Sequence, residues 1–185
     1  MHLRSIPAFA SLKHTLNRAG FHAMWVPWIF VIILLAVLIL STFWFKQQVQ
    51  EASSCTQNLK TIFTAIEQYE DLNGRLPELD YYPSVVTSER SLLTVLSGYG
   101  VNSDNCTCPS SHDLVQQRGL GYLWNVDLNK RPRSMLRGKE WMLIEIEASM
   151  SKVTNPHLGR FHILYTDGSI EQSRVLPPGF PSDQK

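Results

Sequence analysis

Apolar and polar positions follow three successive patterns along this chain. From Trp25 to Phe45 the sequence "WVPWIFVIILLAVLILSTFWF" is almost continuously apolar, interrupted only by Ser41 and Thr42. From Lys46 to Gly74 the apolar residues thin into a stripe: Val49, Ala52, Cys55, Leu59, Ile62, Phe63, Ile66 and Tyr69 recur at spacings of three and four. That period predicts an amphipathic helix. Nothing at Phe45 or Lys46 breaks a helix, so the two stretches are expected to form one rod. Asn73-Gly74 ends it, with Gly74 suited to a left-handed cap and Pro77 just beyond. The third pattern is a set of short apolar runs near the C-terminus, which reads as strands.

Those runs are "GYLWNVDL" (121–128), "WMLIEIEA" (141–148), "FHILYT" and "SIEQSRV". In the second, Met142, Ile144 and Ile146 fall on one face and Glu145 and Glu147 on the other. Asp167-Gly168 between the last two predicts a hairpin with a two-residue type I′ turn. Tyr165 then faces Ile170, and Phe161, Ile163, Tyr165 and Ile170 would cover the helical stripe. Between helix and strands, "LPELDYYPSVVT" reads as a loop. "SERSLLTVLSGYG" reads as a short helix capped by Ser88, and "NSDNCTCPSSHD" as turn chemistry. The expected fold is α+β: a long N-terminal helix, transmembrane and then amphipathic, packed on a small C-terminal antiparallel sheet. Residues 176–185 read as a flexible tail.

Length and purity make Trp25–Phe45 a membrane span. At a helical rise of ~1.5 Å per residue it reaches about 31 Å, close to the hydrocarbon thickness of a bilayer. Trp25, Trp28 and Trp44 sit near its ends, where aromatic rings settle at headgroup level. Pro27 falls in what would be the first turn. A cleaved signal would normally have a shorter apolar region followed by small residues. Here Phe43, Trp44 and Phe45 follow instead.

Charge adds an orientation. The totals nearly balance, at 17 basic and 16 acidic residues, but no acid precedes Glu51. Arg4, Lys13 and Arg18 precede the span and only Lys46 follows closely. The positive-inside rule therefore puts residues 1–24, a tail or leader, in the cytoplasm and residues 46–175 outside as an α+β domain. In a bacterial inner membrane that outside is oxidising. The bilayer is the expected partner, and nucleic acid is not.

At this point the motifs resemble a family. An apolar N-terminal helix leads into "CTQNLKTIFTAIEQYEDLNGRLP". A Cys-Pro pair follows in "CTCPSSH", and a terminal His-x9-Asp-Gly runs from His157 to Gly168. Over roughly residues 21–175 this resembles the bacterial pilin-like proteins with a prepilin-type H-x9-DG domain, relatives of the type II secretion major pseudopilin. The resemblance implies a membrane-anchored structural role, as an atypical or minor pseudopilin of a type II secretion or pilus-like apparatus. It implies other pilin-like subunits or secretion proteins as partners through the transmembrane helix. It implies a leader cut at "AGFHAMWV", between Gly20 and Phe21. It also pairs the helix cysteine with that of the Cys-Pro, Cys55 with Cys108. The residues alone leave Cys106 as an alternative partner for Cys55. The fifth position after the cut is Trp25, where the family usually carries a glutamate that offsets a neighbour's N-terminal charge. The second expectation is therefore an anchored binding module of the cell envelope that does not polymerise.

Candidate chemistry is sparse. His157 with Asp167 would offer two metal ligands, but the favoured reading is structural, with His157, Asp167 and Gly168 fixing the hairpin. Cys106, Cys108 and His112 would make a compact zinc set, but without the usual two-residue gap between thiolates. Lys130, Arg131, Arg133, Arg137 and Lys139 form a basic stretch. It would suit lipid headgroups, an acidic partner or a polymer, although a solvated loop is favoured. No Gly-x-Ser-x-Gly and no phosphate loop occurs. No enzyme, cofactor or metal is expected.

Overall fold

The computed structural model describes residues 16–136, 138–150 and 156–181, with side chains from Trp25 onward except Val26. The chain divides into two units between Lys46 and Gln47. Helix α1, Leu16–Asn73, contributes to both. In the first unit its side chains from Trp28 to Phe45 are exposed, and an 18-residue window has a mean hydropathy of 2.7. By length and composition this helix is able to cross a membrane. Because α1 begins at Leu16, Pro27 lies inside it rather than in a first turn, and the ladder lacks one donor there. Gly20 falls on the α1 backbone. The side chain of Phe21, residues 1–15 and Arg137 lie outside the described residues.

The second unit is built on the last turns of α1. Cys55, Leu59, Ile62, Ala65 and Ile66 are buried, with Phe63 and Tyr69 partly so. Val49 is exposed, so the buried stripe begins later than its period suggests. Asn73 Nδ2 donates to the Tyr69 carbonyl, and Gly74 follows at φ 70°. The short helix α2, Leu92–Leu96, is capped by Ser91, whose Oγ accepts from Thr94 N at 3.1 Å; Ser88 is not the cap. A further helix, α3 (Asp113–Arg118), begins at His112, whose Nδ1 accepts from Leu114 N at 3.3 Å.

Four antiparallel strands form a meander in the order β1 (Tyr122–Trp124), β2 (Trp141–Glu145), β3 (Phe161–Tyr165) and β4 (Ile170–Ser173). Both faces of the central strands are buried. Met142, Leu143, Leu164, Tyr122 and Trp124 share the core of α1. Trp141, Ile144, Ile146, Phe161, Ile163 and Tyr165 form a second core with Val115, Tyr81, Tyr82 and Phe180. The expectation that Phe161, Ile163 and Tyr165 cover the helix is therefore corrected: Leu164 and Ile170 do so.

The cause is the hairpin register. Leu164, not Tyr165, pairs with Ile170. Gly168 N donates to the Tyr165 carbonyl, and Tyr165 N to the Ser169 carbonyl. Only Gly168 of the turn has positive φ, at 80°. This is a three-residue loop closed by a glycine bulge rather than a type I′ turn, and the extra residue shifts every β3 side chain to the other face. Gly168 is also required sterically. A Cβ there would lie 2.7 Å from Cε1 of Phe63 on α1.

The C-terminal segment is not a free tail up to Phe180. That ring packs against Trp141 and Tyr81, at centroid distances of 5.4 and 6.5 Å.

Candidate functional site

The loop before α3 is held on α1 by polar side chains. Asn58 Nδ2 donates to the carbonyls of Asp104 (3.0 Å) and Thr107 (2.9 Å), and Ser110 Oγ donates to Glu51 Oε2 at 3.0 Å. On the other side the loop meets the entry to β1. Gly121 N donates to the Cys106 carbonyl, and a Cβ on Gly121 would sit 2.8 Å from Thr107 Cα. This docking brings Cys108 to Cys55. The two form a disulfide across a 53-residue separation, with Cα atoms 4.8 Å apart. Loop-closure entropy makes such a bridge worth about 4 kcal/mol.

Cys106, the alternative partner, is a free buried thiol in the α1 core. Burial pushes it up to about 11, so it stays protonated and unreactive. With Cys108 bonded, Cys106 apart and His112 capping α3, the set of Cys106, Cys108 and His112 is not a ligand shell.

Beside the disulfide lies a buried polar cluster. His157 Nε2 is 3.3 Å from Cys108 Sγ and 3.3 Å from Glu145 Oε1. His162 Nδ1 is 2.9 Å from the same Oε1, and His162 N donates to Oε2 at 2.9 Å. The two rings meet edge to face at 4.5 Å. A hydrogen on His162 Nδ1 serves Glu145 and leaves Nε2 to accept from Gln172 Nε2 at 2.9 Å. Glu145 thus gathers three donors at 0% exposure. Burial works to raise its pKa, but the hydrogen bonds from His157 and His162 outweigh it and hold the carboxyl below the usual range.

Local backbone places His157. His157 (φ 56°, ψ 49°) and Leu158 (φ 60°, ψ 40°) are both left-handed, a conformation costing roughly 1–2 kcal/mol for each such residue. The turn is closed by Arg160 N donating to the Pro156 carbonyl at 3.0 Å. His157 Nδ1 has no partner among the described residues. Strain of this kind persists where surrounding contacts over-determine it.

Asp167 stands elsewhere. It is exposed and accepts from Ser169 N (2.9 Å) and Ser169 Oγ (2.6 Å). The His-x9-Asp-Gly motif is therefore two separate devices, a buried histidine and a surface turn, and His157 and Asp167 do not share a metal site. The basic stretch is likewise tied down. Lys130 pairs with Glu78, Arg131 with Glu140, Arg133 with Glu67 and Glu70, and Lys139 with Glu171. Arg133 also lies 5.5 Å from the Phe63 ring centroid. Among the described residues of the stretch, each cation thus faces a carboxylate of the chain itself.

Glu145 and His162 were not singled out by the sequence as a pair. The signal available was two glutamates alternating with apolar residues on a strand, which ordinarily marks a solvent face. No family model, no curated protein and no solved structure matches this chain.

Proposed function

We propose that this chain is a single-pass inner-membrane protein with a cytoplasmic N-terminus and a pilin-like domain outside, acting as an atypical or minor pseudopilin of a type II secretion or pilus-like apparatus. One observation carries the reading: α1 offers an exposed apolar stretch from Trp28 to Phe45, and its last turns back a disulfide-pinned sheet. Such a stretch suits lateral helix contacts in a bilayer. The polar cluster, sealed at Glu145, presents no surface to a substrate, which supports a structural rather than an enzymatic role.

Trp25 favours a second reading, an anchored cell-envelope module that does not polymerise. Without a glutamate there, a cleaved chain's N-terminal ammonium would lack its partner in a filament.

Two measurements separate the readings. Intact mass of the membrane-extracted protein reports processing, since loss of residues 1–20 supports the pseudopilin. Cross-linking through a single new cysteine, Leu38→Cys, reports lateral contact in native membranes. A cross-linked dimer is expected, whereas monomer alone with an intact N-terminus overturns the subunit reading.

A further inference from the structure

Cys55, Cys108, Glu145 and His157 each present one ligand atom, and these four atoms lie within 4.8 Å of one another. In the oxidised chain the two sulfurs are consumed by their bond to each other. Once reduced, they are two thiols facing a carboxylate and an imidazole in a closed space. Two sulfurs, one nitrogen and one oxygen make a donor set suited to a borderline-soft divalent ion. The geometry points to a second state of this cluster: with the Cys55–Cys108 bond reduced, Cys55, Cys108, Glu145 and His157 coordinate one zinc ion, so that disulfide and metal are alternative cross-links between the same loop and the same helix.

The spacing fits. Zn–N and Zn–O bonds of about 2.0–2.1 Å and Zn–S bonds of about 2.3 Å set tetrahedral N···O and N···S separations near 3.3 and 3.5 Å. His157 Nε2 already stands 3.3 Å from both Glu145 Oε1 and Cys108 Sγ. The sulfurs must part to about 3.8 Å through side-chain rotation, and the widest separation in the set, up to 4.8 Å, must draw in. The outer shell is in place as well: His162 orients the Glu145 carboxylate through both its ring and its backbone N–H, the kind of support that ligating carboxylates usually have. The left-handed backbone at His157 aims the imidazole at the shell.

The chemistry balances with a dithiol reductant. Its two thiols are oxidised to a disulfide while Cys55 and Cys108 each gain a hydrogen. Zinc then displaces both thiol protons to solvent. His157 gives up the hydrogen that Nε2 presents to Glu145, takes one from solvent on Nδ1, and donates the freed Nε2 lone pair to the metal. The inference is independent of the secretion reading, because it concerns only the external unit.

The test uses the full-length chain in detergent, reduced anaerobically, incubated with zinc, freed of unbound metal and analysed for elements. The reduced wild type and Cys106→Ser are expected to retain about one zinc per chain, and the oxidised wild type almost none. His157→Ala is expected to weaken binding by roughly tenfold or more. Cobalt substitution in the reduced wild type, which needs no variant, should give tetrahedral d–d bands and thiolate charge-transfer bands. Failure of the reduced wild type to retain zinc overturns the proposal. So does equal retention by His157→Ala, or a cobalt spectrum without thiolate bands.

Discussion

Glu145 and Glu147 stand two residues apart where β2 ends, at 0% and 1% exposure. Glu145 receives two histidine rings and a backbone N–H. Glu147 receives His112 N on Oε1 at 3.2 Å, and its Oε2 has no partner among the described residues. The consequences are opposite. Glu145 is held below the usual carboxylate range, because its donors outweigh burial. Glu147 is raised, with burial as the largest cause. Equal dryness therefore does not decide the state of a carboxylate; the donors and charges around it do. One carboxylate is fully supplied with donors, and the other is a local cost that the fold tolerates.

The largest effect is expected from removing the carboxylate that both histidines face. Glu145→Ala strands His157 and His162 donors in the interior, at a cost of roughly 3–5 kcal/mol, read as a lower urea midpoint at pH 7. Glu145→Gln tests the charge. A depressed folded pKa means that this group's stabilisation is present above the unfolded carboxylate value, roughly 4.3, and is lost as pH falls through the folded value. The gap between wild type and Glu145→Gln should therefore narrow in acid. A gap independent of pH would show that Glu145 is not ionised.

Removing the neighbouring bridge comes next. Cys55→Ala with Cys108→Ala should cost about 4 kcal/mol. Because His157 touches both Cys108 and Glu145, a cycle combining this double substitution with His157→Ala should show coupling of about 0.5–3 kcal/mol. Strict additivity would mean that the disulfide and the carboxylate network are separate structures.

How far this contrast can be read from the sequence depends on the range of the forces that create it. The α1 period, its stop at Asn73-Gly74 and the position of the hairpin are local signals, and they hold. The disulfide pairing holds too, but on resemblance rather than on spacing, since Cys106 and Cys108 are equally placed along the chain. Register is less legible. Asp-Gly is compatible with a two-residue or a three-residue loop, and contact between Gly168 and Phe63, more than a hundred residues earlier, is part of the environment in which the bulged form sits. That single-residue shift moved Leu164 to the helix. Glu145 was hidden for a related reason. Alternating polarity predicts a wet face only where nothing covers it, and here the helix and the Cys108 loop cover it. His112 as a cap and Ser91 in place of Ser88 were likewise decided by where the chain turns, not by which residues are able to cap.

The smallest expected effect carries the opposite sign and sharpens the contrast most. Glu147 contributes a penalty at neutral pH because its folded pKa is raised: the folded chain binds that proton more tightly than the unfolded chain does. Its contribution therefore improves as pH falls from the raised value toward the ordinary one. Glu147→Gln keeps an acceptor for His112 N and removes the charge, so it should stabilise the domain at pH 7 by on the order of 1 kcal/mol. The advantage should fade as the wild-type carboxyl takes up its proton in mild acid. Glu145→Gln should show a deficit at pH 7 that also fades, at lower pH. Two urea-midpoint curves against pH, of opposite sign at neutrality and converging on the wild type in that order, would establish that the donors and charges around them separate these neighbouring glutamates. Curves of the same sign would mean that burial alone governs both.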